Sequence, residues 1–303
     1  LCEKGAREIV LLGQTVNSYR DPGVPMPDGA DPDDSQFPAL LRRIAGEVPG
    51  LLRLRYTSPH PRHLTSELMR AHAELDVLAA HVHMPVQSGS DRMLKRMIRR
   101  YTRAEYVARV TALREARPGV TLTTDVIVGF PGETREDFEA TLSLVREVGF
   151  TGLFGFAYSV RPHTPALKMR DDVPEAEKKA RLAELFELSE AQLRAHLATL
   201  VGTRQHVLLE GPSRTGAGQW AGRTNQNEIV HLPEPDEVAL RAAMAPGALL
   251  EVLVERANKH SLAGSIRSVR AKALDAARAS TPGPNATRTA PTARRVALPV
   301  VGA

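Results

Sequence analysis

Cysteine is almost missing from this chain: Cys2 is the only one in 303 residues. A single thiol excludes a disulfide framework and fits a reducing compartment, which places the protein in the cytoplasm. No apolar run is long enough to cross a bilayer, no secretory leader is visible, and no internal repeat stands out. Charge is also scarce where it would count. The formal net charge is +5, but Lys272, Arg278, Arg288, Arg294 and Arg295 against Asp275 alone put +4 of it into residues 271–303. The body is nearly neutral, so a basic composition by itself says little about a nucleic-acid partner. An initial methionine is absent too. The chain opens on Leu1 and runs at once into a strand at 8–13, which reads as a piece that begins inside a domain.

What is present is a 42% apolar chain, enough for real cores, and a length that suggests roughly two domains. Strand patterns at 8–13, 51–57, 80–86, 121–129 and 152–159 alternate with helical patterns at 37–48, 64–75, 90–99, 103–116 and 134–148. Such alternation predicts α/β architecture, with a parallel sheet and helices outside it. Pro174 opens a long helix with a leucine stripe from Leu182 to Leu200, and Gly202 ends it. From 203 onward, short alternating runs at 205–210, 228–232 and 249–254 between Gly and Pro turns predict a small antiparallel barrel. The expected plan is a partial (β/α) barrel over 1–173, a connecting helix over 174–201, a β-barrel over 202–270 and a disordered basic tail over 271–303.

The most informative stretch is 121–138, TLTTDVIVGFPGETREDF. Its first half is an alternating, β-branched strand. A Gly129–Pro131–Gly132 turn stops it, and Thr134 with Asp137 three residues later has capping-box spacing. A strand that exits through a glycine turn into a helix leaves backbone N–H groups at the mouth of a sheet, where small polar ligands bind. The other strand ends are Gly13–Asn17, Thr57–Pro61, Pro85–Asp91 and Tyr158–Pro165. They carry amides, hydroxyls and glycines, with few ionisable groups. Such groups hold a ligand well and make poor general acids or bases, as in an enzyme whose chemistry resides in a cofactor. A competing reading is a metal hydrolase: His81 and His83 share one strand face, and His60, His63 and Asp125 could complete a ligand set.

The segments LLGQTVNSYR (11–20), TSPHP (57–61), HVHMPVQSGSDRMLKRM (81–97), DVIVGFPGETREDF (125–138), YSVRPHTPA (158–166), DDVPEAEKKARL (171–182), GRTNQN (222–227) and ANKHSLAG (257–264) carry a resemblance. Over most of 1–270 the chain resembles the radical S-adenosylmethionine (SAM) methylthiotransferases, nearest to their tRNA-modifying branch. The resemblance implies a partial parallel radical SAM barrel lacking its first strand, followed by a TRAM domain, an oligonucleotide-binding-like barrel. It implies SAM as cofactor and, in the full-length parent, two 4Fe-4S clusters. Their cysteines are not in this chain, and Cys2 stands where the family has no ligand. The fragment alone is therefore expected to be inactive, with no catalytic residue of its own and no metal ligand.

Residue by residue, the resemblance assigns the SAM site to Gln14, Asn17, Gln87, Ser88, Asp125, Gly129, Glu133 and Ser159. It assigns RNA contacts to Arg161, Thr164, Arg223, Asn225, Asn227 and Lys259. His163 stands where the family often has glycine. The implied reaction adds a methylthio group to C2 of N(6)-isopentenyladenosine next to the anticodon. The implied partners are a tRNA anticodon loop and an electron donor such as flavodoxin, with no membrane and a monomeric enzyme. A non-catalytic RNA-binding protein is the other reading. The small-barrel region, with eight Lys and Arg against seven acids, is not strongly basic, so its RNA contacts depend on local placement. A second basic stripe runs through Lys95, Arg96, Arg99, Arg100 and Arg103.

Overall fold

A computed structural model describes residues 1–26, 34–160, 162, 164–213 and 218–271. Five parallel strands come first: β1 (Glu8–Leu11), β2 (Arg53–Tyr56), β3 (His81–His83), β4 (Thr121–Val128) and β5 (Gly152–Ala157). β1 pairs with β2, β3 with β4, and β4 with β5, all parallel. Single bridges at Leu54–Leu78 and Thr57–His83 join the two sheets, so the strands follow one another in chain order around an open arc. The crossovers contain α1 (Phe37–Glu47), α2 (Ser66–Glu74), α3 (Asp91–Arg96), α4 (Arg103–Ala116) and α5 (Arg135–Val148). Leu122, Val126 and Val128 point outward from β4 into a core shared with Phe138, Leu142 and Val145 of α5.

The sheet half of the expected plan is present, with shorter strands. β3 stops at His83 for a definable reason. Met84 N–H still donates to Thr123 O at 2.8 Å, Pro85 has no N–H to give, and pairing resumes only where Gln87 N–H reaches Asp125 O at 2.8 Å. α5 starts as its capping box predicts, with Thr134 Oγ1 accepting from Asp137 N–H and the Asp137 carboxylate accepting from Thr134 N–H. It ends on Gly149 in the left-handed region, φ 63°.

α6 (Glu175–Thr199) leads out of the arc. Its stripe is divided between two interiors. Leu182, Leu185 and Leu188 pack into the first core, whereas Leu193, Leu197 and Leu200 pack into a second. That second core fills a closed barrel of β6 (Arg204–Pro212), β7 (Gln219–Arg223), β8 (Ile229–Pro233), β9 (Leu249–Ala257) and β10 (Leu262–Ala271), ordered β10-β8-β7-β6-β9. A short helix, α7 (Val238–Ala242), not expected from the sequence, connects β8 to β9. Four of the five pairings are antiparallel; closure uses one short parallel contact, Leu262–Val230 and Ala263–His231. The tail beyond Ala271 lies outside the described residues.

The β7–β8 turn reaches the amino-terminal end of the arc. Arg53 Nη1 donates to Arg223 O and Arg55 Nη2 to Thr224 O, each at 3.2 Å, and Thr121 Oγ1 donates to Gln226 O at 3.0 Å. Both arginines are buried and share Glu8, at 3.2 and 2.9 Å. Burial lowers the Arg53 guanidinium to about 10, which leaves it charged at neutral pH.

Candidate functional site

Side chains of alternate residues point to the concave side of the arc. On β3 these are His81 and His83; on β4, Thr123, Asp125 and Ile127. Register then sets Phe154 of β5 beside Asp125, and Phe156 beside Ile127. Phe154 and Phe156 are 58% and 48% exposed although they stand on a strand, which marks an open lumen. Along its wall, Thr123 Oγ1 takes His81 Nε2 at 3.0 Å and His83 Nδ1 at 2.9 Å. A hydroxyl can donate to one ring nitrogen and accept from another, so Thr123 couples the two imidazoles to each other. The far nitrogen of His83 lies 3.4 Å from Asp125 Oδ1, and its ring meets the Phe154 ring edge-on at 5.7 Å. Burial, then Arg55 and His83, pushes His81 down to about 3. Among the described residues no three His, Cys, Asp or Glu side chains gather into a set that could hold a metal ion. His81 and His83 share a threonine instead, and His60 and His63 sit at the second strand end.

The sequence-expected residues at the strand ends divide into two groups. Gln14 and Ser159 are exposed at the mouth. Gln87 is buried at the third strand end with φ 73°, an unusual backbone for a residue with a side chain. Together with Asp125 these have side chains available to a ligand. The others work on the protein itself. Asn17 is fully buried, and its amide clips the His60 backbone at both ends, at 3.0 and 2.8 Å. Ser88 Oγ meets Thr141 Oγ1 at 3.2 Å and accepts from Ser90 N–H at 3.2 Å. Ser90 caps the six-residue α3, so that helix start is closed by its own side chain. Glu133 accepts the Gly129 N–H at 2.9 Å and pairs with Arg181 of α6 at 2.5 Å. Gly129 itself has φ 68°, and a Cβ there would stand 2.3 Å from Lys178 Cγ. Thr164 starts a short 3-10 turn; Arg161 and His163 lie outside the described residues.

Asp137 is a connection that the capping motif alone does not announce. Besides capping α5, its carboxylate accepts from Ser90 Oγ at 2.5 Å and pairs with Arg92. Burial works against its ionisation, but Arg92, Ser90 and Thr134 outweigh it and hold the carboxyl well below the usual range. The third and fourth strand ends are thereby fastened together. Gly89 lies in the same joint, with its N–H on Thr141 Oγ1 at 2.9 Å, and a Cβ there would meet Ala140 O at 2.5 Å and Thr141 Cα at 2.6 Å. The atoms in the way are helix backbone, so the joint must shift. Gly89→Ala is expected to cost about 2 kcal/mol, or roughly 5 °C in melting temperature. Calorimetry checks this; an unchanged melting point would show that α5 moves aside freely.

The RNA candidates divide in a similar way. Arg223 pairs with Glu210 at 2.8 Å and donates to Asn227 O at 3.1 Å. It belongs with Asn225 and Asn227 to the turn that docks on the floor of the arc, and Asn227 has φ 82°. The turn is fastened from behind by Glu228, which bonds Thr224 and His196 of α6. Lys259 is exposed and pairs with Glu190 at 3.1 Å. Beside it a groove of 570 Å³ crosses the small barrel, lined by Gln219, His231, Arg256, Asn258 and Ser261 among others.

Comparison with known proteins agrees with both halves of the molecule. The radical SAM superfamily model matches residues 1–145 and the TRAM domain model residues 198–266. The chain is 60% identical, over its whole length, to the tRNA-2-methylthio-N(6)-dimethylallyladenosine synthase of Sorangium cellulosum. It belongs to the radical SAM methylthiotransferase family. Relatives with the same designation from Acidithiobacillus ferrooxidans and Bordetella petrii are 46% and 44% identical over 87% and 89% of the chain. The chain spans 61%, 55% and 53% of these three proteins, a little over half their length. Among solved structures, the radical SAM enzyme coproporphyrinogen III oxidase (HemN) of Escherichia coli aligns with 74% of this chain and 69% of its own. At 15% identity and a TM-score of 0.39 it is too distant to bear on function. No helix among the described residues is long and apolar enough to cross a membrane.

Proposed function

We propose that this chain is the part of a tRNA methylthiotransferase that receives SAM and the target nucleotide, in an enzyme that adds a methylthio group to C2 of N(6)-isopentenyladenosine beside the anticodon. The observation that carries the reading is the identity with the Sorangium synthase, 60% over the whole chain, half-barrel and small barrel alike. The lumen supports it. Its wall offers one carboxylate, two imidazoles and two exposed phenylalanine rings, a setting that grips a nucleoside by polar and aromatic contact.

Asp125, Gln87, Gln14 and Ser159 would hold SAM, and Asn17, Ser88, Gly129 and Glu133 would keep the strand ends that present them in place. Bound SAM supplies one-electron chemistry and the methyl group. The chain's own contribution is orientation and exclusion of water: His83 would hold one Asp125 oxygen and leave the other to a ligand, and Phe154 and Phe156 would be covered, and that wall dried, by the ligand seated on them. An iron–sulfur cluster does not fit this chain, because one buried cysteine cannot supply a ligand set. The groove by Lys259 and Arg256 is the candidate RNA track on the small barrel. In the whole enzyme a flavodoxin-like protein would donate electrons, and the enzyme would work as a cytoplasmic monomer.

Two measurements test this. Joined to the portion of the Sorangium relative that it does not cover, the chain is expected to restore 2-methylthio nucleosides to the tRNA of a deficient host, read by mass spectrometry. Isopentenyladenosine left unmodified, when the intact relative succeeds, overturns the reading. In that chimera Asp125→Asn should weaken SAM about tenfold or more, the usual loss for a charged hydrogen bond. Equal affinity by equilibrium dialysis removes Asp125 from the site.

A further inference from the structure

The basic stretch around the end of α3 has no role in the lumen, but it lies at the mouth. Arg96 donates to Pro131 O at 3.0 Å and Arg92 to Gly132 O at 2.6 Å, which seats α3 over the fourth strand end. Arg103 is committed elsewhere, to Ala140 O, Ser143 and Glu147. The side chains of Lys95, Arg99 and Arg100 make no hydrogen bond or ion pair among the described residues. Lys95 and Arg100 are exposed, and Arg99 is half-buried.

The turn that presents them is closed and strained. Arg99 N–H returns to Leu94 O at 2.8 Å and Ile98 N–H to Lys95 O at 3.1 Å. Ile98, at the bend, has φ 59° and is 58% exposed. A β-branched residue in the left-handed region costs on the order of 1 kcal/mol, and such strain persists where surroundings impose it. The three cations are thus held on a fixed corner and not on a frayed end.

A histidine pair adjoins this corner from the second strand end. Burial, then His63, Arg99, Arg62 and Arg109, pushes the His60 imidazole down to about 4, so the neighbouring charges on this rim are cations. Glu105, beside Arg109 and Arg62, is occupied by Thr102 in the cap of α4, and Asp91, one turn before Lys95 on α3, accepts from Arg103 N–H. The half-buried His60 and His63 rings lie 5.7 Å apart, tilted at 57°, and His60 stands edge-on to Tyr101 at 5.5 Å.

We propose that Lys95, Arg99 and Arg100, with the edge formed by His60 and His63, make an RNA contact surface on the rim of the half-barrel, holding the phosphodiester backbone beside the nucleotide that enters the mouth. This rests on the reading that the lumen receives an RNA base. A base turned into a lumen leaves its flanking phosphates on the rim, where unpaired cations meet them. The small barrel, with eight cations against seven acids, lacks the field to hold a polyanion alone. The histidine rings favour RNA over an acidic protein, because a single strand brings bases that stack where its phosphates bind.

The experiment is a salt titration of binding between the full 303-residue chain and a synthetic RNA hairpin with an adenosine in its loop. Each phosphate contact contributes about 0.7–0.9 to the slope of log K against log salt. The triple variant Lys95→Ala, Arg99→Ala, Arg100→Ala should therefore flatten the slope by about 2 and weaken binding about tenfold or more near physiological salt. Its unfolding midpoint should match the parent's, and the charge-preserving swap Lys95→Arg, Arg99→Lys, Arg100→Lys should keep the slope. An unchanged slope in the triple alanine variant overturns the proposal and leaves RNA binding by the small barrel standing. Unchanged RNA binding together with lost affinity for an acidic flavodoxin also overturns it and reassigns the rim to a protein. If the parent chain fails to bind the hairpin even at low salt, the RNA reading falls, and this proposal with it.

Discussion

Between pH 6.5 and about 3 the protein loses stability at up to roughly 3 kcal/mol per pH unit, because two histidines are folded in a form that resists protonation. Burial pushes His72 and His81 each down to about 3. His72 is fully buried, with Nε2 on Tyr56 Oη at 2.5 Å. The direction follows from the proton count. Above pH 6.5 both states hold these rings neutral. Below it the unfolded chain takes up protons that the folded chain refuses, so acid favours unfolding until the folded values are reached. His60, lowered to about 4 but partly solvated, adds a smaller share. From pH 6 to 4 the loss is about 5 kcal/mol, comparable to the whole stability of many domains. Urea midpoints across this range read it directly. His72→Gln, which keeps an acceptor and does not titrate, should remove nearly half of the slope; an unaltered slope would assign the acid sensitivity to other groups.

Arg181→Ala is expected to lower stability by about 3–5 kcal/mol, or roughly 10 °C in melting temperature. Arg181 and Glu133 have side chains only 3% and 1% exposed, and Arg181 also donates to Glu133 O at 3.2 Å and pairs with Glu177. Removing the guanidinium leaves a carboxylate in a place that water does not reach, where it is expensive. Removing both charges is milder. The double variant Glu133→Gln, Arg181→Met keeps the acceptor for Gly129 N–H and should recover more than half of the loss, a coupling that a double-mutant cycle in urea measures. Additive losses would mean that the two groups are independently solvated.

The unit from 121 to 148 was legible because each level of its sequence agrees: alternating strand, glycine turn, cap, amphipathic helix. Pro85 equally carried the information that the third strand must break, although the run around it looks continuous. The site was legible as a set of strand ends and not as a division of labour. Asn17, Ser88 and Glu133 stand at strand ends, yet sequence does not tell a side chain that faces a ligand from one that faces the neighbouring loop. The turn at 222–227 illustrates the harder case. Its residues declare a turn, and what that turn docks on is decided by strands more than 150 residues earlier, through Arg53 and Arg55. A signal did exist there: two arginines at alternate positions in a four-residue strand that is buried throughout, beside Glu8 in parallel register. Charges in such a strand require partners.

α6 enters two interiors, through Leu185 at one and Leu197 at the other. At 1.5 Å per residue those anchors stand about 18 Å apart along one rigid rod. Each added residue would swing the far module by about 100° around the axis. The helix is therefore a rigid spacer that sets the reach and bearing of the small barrel from the lumen.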